Sequence, residues 1–130
     1  GIMILIGLAN TLQAIFTELI YDEAYYWYFS KQLDWGYFDH PPMVAAMIAL
    51  GNLFFKGTLG VRIIGVFSTL GAYVLIWNTV SKTHKKHHIG AFFVLLSSMT
   101  LLNAYGFFTL PDTPLLFFTA FLFCLLNSFF

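Results

Sequence analysis

Charge is what this sequence has least of. Six acidic and six basic side chains are spread over 130 residues, 9% of the chain, where a soluble domain carries about 25%. A mean hydropathy of +0.79 and a hydrophobic share of 59% exclude an ordinary soluble domain and leave an integral membrane protein with several spans. The formal net charge is zero, so no basic field invites nucleic acid. Cys124 is the only cysteine and lies in an apolar run; it allows no internal disulfide and leaves the redox compartment open. The first 20 residues lack the basic leading region and small-residue cleavage site of a signal peptide. Polar ends are missing too: Gly1 opens directly into apolar sequence and Phe130 closes inside it, from which we expect a piece of a longer chain, truncated at both ends.

Long uncharged runs are plentiful. About 20 residues cross a bilayer core at 1.5 Å rise each. On that measure we expect an all-α polytopic membrane protein with about four transmembrane helices, at about 1–20, 61–80, 89–110 and 114–130. An outer loop at 21–60 should contain two short helices, one from Asp22 to Leu33 and one from Met43 to Phe55, with a turn at Asp34–Tyr37 between them. Pro41 or Pro42 suits the first turn of the second, where a missing N–H costs nothing. Asn10, Thr11 and Gln13, inside the first run, should face protein rather than lipid. Lys82, Lys85 and Lys86 crowd the loop at 81–88, which makes that loop cytoplasmic. Glu18, Asp22, Glu23, Asp34, Asp39 and Asp112 then all fall on the opposite face.

Four of the six carboxylates lie between Asp22 and Pro42, in DEAYYWYFSKQLDWGYFDHPP. Read alone, each residue has a plain structural use beside a chemical one. Asp22 is a candidate general base, though a helix N-cap is the commoner use of such a residue. Glu23 is either a second acid of the site or a first-turn partner of the helix dipole. Arg62, at the mouth of the second span, either forks onto a phosphate or snorkels to the interface. Asp112 sits in an Asp-Thr-Pro helix start. Tyr26 and its aromatic neighbours suit sugar faces or an interfacial belt. His84, His87 and His88 have the spacing of helical metal ligands, but a solvated basic loop accounts for them more simply.

The ordered series Asp22-Glu23-Ala24-Tyr25-Tyr26, Trp35-Gly36-Tyr37-Phe38-Asp39-His40-Pro41-Pro42, Gly60-Val61-Arg62 and Pro111-Asp112-Thr113-Pro114-Leu115 resembles the N-terminal part of polyprenyl-phosphate-sugar-dependent glycosyltransferases. These are the integral-membrane type C fold enzymes, among them the protein O-mannosyltransferase-like family and the aminoarabinose transferases of lipid A. The resemblance covers nearly the whole chain.

The resemblance implies transfer of a sugar, with inversion, from a polyprenyl-phosphate donor to an acceptor hydroxyl on a lipid, glycan or protein. The site would lie on the outer face of a bacterial inner membrane. It implies Asp22 as general base with Glu23 beside it, and Tyr26, Asp39, His40, Arg62 and Asp112 as substrate-binding residues. Some relatives have Glu-Lys where this chain has Asp39-His40, so the charge at His40 depends on pH. No cofactor is implied, and no metal ligand is assigned. A divalent cation stays open, because some relatives use one and others do not. A lipid-linked donor also fits the absence of a Gly-rich phosphate-cradling loop. The chain alone is expected to be inactive. Two other classes compete: a transporter or ion pathway using the same acids and arginine, and a structural subunit with no chemistry.

Overall fold

The computed structural model describes residues 2–79, 82–99 and 106–129. Among these it is all helix, without strands: α1 (Ile2–Phe16), α2 (Tyr21–Phe29), α3 (Met43–Phe54), α4 (Gly57–Thr79), α5 (Lys82–Ser98) and α6 (Asp112–Phe129). The all-α polytopic architecture expected from composition is the one found. Helices α4 and α6 are long and apolar enough to cross a membrane, and the α1–α2 pair, bent by 84°, makes a third candidate. Helix α5 has 17 residues and starts inside the Lys/His segment, so that segment is helical where a loop at 81–88 was expected. The third span was expected to reach Leu110, but α5 ends at Ser98 and Gly106–Pro111 is non-helical.

Helix α4 is the centre. It packs against α1, α3 and α6, and half of its most apolar window is buried, against 17% for α6. Small residues permit the close approaches. A Cβ at Gly51 would strike the Gly60 carbonyl, and one at Gly60 would strike the Phe55 carbonyl. Gly57, with φ of 72°, takes the left-handed conformation that reverses the chain between α3 and α4. Helix α3 buries Val44, Ala45, Met47 and Ile48. Tyr26, Val44, Ile48 and Val61 form one core cluster, flanked by Leu19, Tyr25, Phe29 and Leu110. Of the polar residues in α1, Asn10 is buried, Thr11 bonds its own helix at Gly7 O, and Gln13 is exposed.

The elbow between α1 and α2 is held from α4. A helix ends with carbonyls that have no partner in the helix. Thr58 Oγ1 donates to Ile15 O at 3.1 Å. Arg62, with no exposed surface, donates from Nη1 to Ala14 O and Thr17 O at 3.3 and 2.7 Å, and from Nη2 to Glu18 O at 2.8 Å. Its Nε and Nη2 also meet Glu23 Oε1 and Oε2 at 2.9 and 2.6 Å. Glu23, equally buried, accepts two backbone N–H groups as well, Thr109 at 3.0 Å and Ile20 at 3.3 Å. The five guanidinium N–H groups and the four carboxylate acceptor sites are therefore filled. The rings of Phe107 and Phe108 lie 5.8 and 5.2 Å from the guanidinium carbon. One ion pair thus ties the end of α1, the start of α2, the second turn of α4 and the segment before α6.

Removing one partner strands the other charge in an apolar surround, at a cost of about 3–5 kcal/mol. Arg62→Ala and Glu23→Ala should each lower the unfolding stability of the intact protein by about that much. The double substitution Glu23→Leu/Arg62→Met should cost clearly less than the two singles together. Denaturant unfolding in mixed micelles would show it, and additive losses would contradict the pairing.

Candidate functional site

Helix α2 begins at Tyr21, with Ile20 as its N-cap residue. Asp22 is therefore in the first turn and not at the cap expected from sequence. Successive helical residues are about 100° apart, so with Glu23 turned inward Asp22 is turned outward. It is exposed and makes no hydrogen bond among the described residues. One turn on, Tyr25 and Tyr26 share its face.

The loop after α2 folds back on this face. Tyr37 stacks on Phe29, with ring centroids 4.1 Å apart, and donates to Phe29 O or Gln32 O at 3.1 Å. Asp34 Oδ1 accepts the Trp35 N–H at 2.7 Å. The Tyr37 N–H donates to His40 O at 3.2 Å, closing the turn ahead of Pro41-Pro42. These bonds bring Asp39 and His40 over α2. The Tyr25 hydroxyl donates to Asp39 Oδ1 at 3.1 Å. The Tyr26 hydroxyl lies 3.4 Å from the His40 ring nitrogens, and His40 Nε2 is 3.4 Å from Asp39 Oδ2. The His40 ring meets that of Tyr26 edge-on at 5.0 Å. Asp112 is exposed in the first turn of α6, where its charge suits the helix dipole.

Tyr26 reports how these groups gather. Burial pushes its phenol pKa above the usual 10.0, and the negative charges of Asp22, Asp39 and Asp112 push it further. Burial is the larger cause, and the three carboxylates add to it. Tyr25 is shifted the same way, by desolvation first and then by its bond to Asp39. Both phenols stay protonated at neutral pH; that of Tyr25 donates to Asp39, and that of Tyr26 pairs with the His40 ring in a direction set by the tautomer.

Of the residues singled out from sequence, Asp22, Asp39 and His40 lie on this face; Tyr26 is buried at its base with only its hydroxyl meeting His40, Asp112 is exposed at the start of α6, and Glu23 and Arg62 lie beneath. Arg62 has no N–H left for a phosphate, and Glu23 has no free acceptor site for a proton. The aromatic residue singled out was Tyr26; Tyr25, which holds Asp39, carries the helical signal of lying three residues after Asp22. The Thr109 N–H that holds Glu23 is a backbone group and has no signature in sequence. Among the described residues no three His, Cys, Asp or Glu side chains gather as for a metal ion. The side chains of His84, His87 and His88 lie outside the described residues.

A phenol whose pKa is higher folded than unfolded contributes stability that is full below about pH 10 and is lost as pH rises through the folded value. Phenolate absorbance of the intact protein should show late-titrating tyrosines, and Tyr26→Phe should remove one. A wild-type curve centred at the ordinary value with no late component would contradict the raised phenols.

A family model for dolichyl-phosphate-mannose-protein mannosyltransferases matches residues 39–130. The lipid A galacturonosyltransferase RgtD of Rhizobium johnstonii is 31% identical over 109 residues, which cover 80% of this chain and 22% of that protein. The chain thus spans about a fifth of the length of this curated relative. No solved structure matches. With the match running over more than half of its residues, through the Asp-His-Pro-Pro turn, Arg62 and the Asp112 helix start, the chain belongs to the dolichyl-phosphate-mannose-protein mannosyltransferase family.

Proposed function

We propose that this chain supplies the acidic side of an active site that moves a sugar from a polyprenyl phosphate to an acceptor hydroxyl on a lipid, glycan or protein. Asp22 is the general base. The observation that carries this is the contrast between two adjacent carboxylates: Glu23 is saturated by Arg62 and two backbone N–H groups, while Asp22 is exposed and unbonded among the described residues. Asp22 takes the proton of the acceptor hydroxyl. The acceptor oxygen bonds to the anomeric carbon as the bond from that carbon to the phosphate oxygen breaks, and the polyprenyl phosphate leaves with the electron pair. The transition state has oxocarbenium character.

Asp39 and Asp112 orient hydroxyls of sugar and acceptor, and Tyr26 donates to a sugar oxygen. His40, when protonated, is the cation of this face among the described residues and steadies the leaving phosphate. Glu23 and Arg62 act as positioning residues. A single histidine is a weak phosphate grip, so we infer that further cations come from the rest of the protein and that residues 1–130 alone do not transfer sugar. The ion-pathway reading is disfavoured by the same saturation, because Glu23 and Arg62 close on each other and leave nothing for a passing ion.

General-base catalysis contributes about 10²–10⁴-fold. Transfer by the intact protein, assayed with a panel of polyprenyl-phosphate sugars, should fall by about that factor in Asp22→Asn with stability unchanged; near wild-type rates in that variant would sink the assignment. We further propose that the 21–60 loop faces outward from a bacterial inner membrane, because Lys82, Lys85 and Lys86 hold the other end inside. In a Cys124→Ala background, an impermeant thiol reagent should label Asp34→Cys in intact spheroplasts and leave Lys85→Cys unlabelled. Equal labelling would reverse the topology.

A further inference from the structure

A cavity lies on the other side of α2. It holds about 530 Å³ and is lined by Trp27, Lys31, Asn52, Lys56, Gly57 and Thr58, with apolar Leu19, Phe55 and Val61 between them. No carboxylate lines it. Trp27 lies five residues after Asp22, about 140° round the helix, so this cavity and the acidic face point apart. The reaction proposed above uses none of the side chains named here.

Its chemistry is that of an anion site. The Lys31 ammonium lies 4.4 Å from the Trp27 ring centroid, a cation–π contact that holds it at the rim. Neither Lys31 nor Lys56 has an ion-pair partner among the described residues. The Asn52 side-chain nitrogen is buried and has no hydrogen-bond partner, although a buried donor normally has one. The first turn of α4, starting at Gly57, adds backbone N–H groups that lack partners within the helix. Glu18, just before Leu19 in the chain, is exposed and does not line the cavity. Glu23 is neutralised by Arg62.

Position narrows the ligand. Helix α4 has 23 residues, a length of about 34 Å, enough for the bilayer core and little more. Its N-terminal end therefore lies at headgroup depth. The cavity is several times larger than a bare phosphate ion needs, and its apolar lining suits carbon attached to the phosphate. We propose that the Lys31–Lys56 cavity binds the phosphate of a net-anionic ligand, separately from the sugar-transfer site.

The test uses the intact protein in phosphatidylcholine nanodiscs containing a minor share of phosphatidylglycerol, with the protein-bound lipid quantified by mass spectrometry after exchange. Wild type should enrich phosphatidylglycerol over phosphatidylcholine. Lys31→Gln/Lys56→Gln should weaken that preference roughly 30-fold, as expected for two lysines at an anionic surface. Lys31→Arg/Lys56→Arg should keep most of it, and Asp22→Asn should leave it unchanged. Inorganic phosphate then separates the sources: failure to displace phosphatidylglycerol assigns a lipid headgroup, and displacement assigns a site open to free phosphate. The proposal is overturned if the glutamine pair enriches the lipid as wild type does. It is equally overturned if wild type shows no preference and inorganic phosphate does not bind.

Discussion

One buried charge pair sets the arrangement of everything around it. Glu23 and Arg62 are both without exposed surface and meet at 2.6 Å inside a bundle whose outside is hydrocarbon. Such a pair survives only when every donor and acceptor is occupied. That demand is met by carbonyls at the end of α1 and by N–H groups at Ile20 and Thr109. The pair therefore does more than link two side chains. It takes over the capping of α1, fixes the 84° bend into α2 and holds the segment that leads into α6.

The orientation of the chemical face follows from this anchor. With Glu23 forced inward, helical geometry points Asp22 out and aligns Tyr25 and Tyr26 with it. The aromatic turn then closes over that face: Phe29 and Tyr37 stack, and Pro41-Pro42 start α3 without an N–H that needs a partner. Asp39 is held by Tyr25 and His40, and Asp112 arrives from the helix beyond Thr109. The negative charges of Asp22, Asp39 and Asp112, from three stretches of chain, add to burial in raising the pKa of the Tyr26 phenol. Lys31 and Lys56, which have no ion-pair partner among the described residues, lie across α2 and line the separate cavity there.

Much of this was legible in the residues. The scarcity of charge and the long apolar runs determine an all-helical membrane protein, because lipid offers no partners to an open backbone. A helix beginning at Met43 follows from Pro chemistry that acts over a few residues, whereas the Asp34–Tyr37 segment expected as a turn is irregular, with a bend at Trp35. The order of the Asp-Glu, Asp-His-Pro-Pro, Arg and Asp-Thr-Pro pieces already points to the family. Helix limits were less legible: the start of α4 at Gly57 and of α5 at Lys82 depends on what the neighbouring turns pack against.

Tertiary structure alone decided the division of labour among the charged residues. Asp22 and Glu23 are neighbours of the same chemical type, and Arg62 is as well suited to a phosphate as to a carboxylate, so local sequence treats them alike. What separates them is contact over long range: Glu23 and Arg62 are 39 positions apart in sequence, and Glu23 and Thr109 are 86 apart. Saturation of a buried ion depends on backbone groups from distant segments, and a backbone amide has no letter in the sequence to announce it.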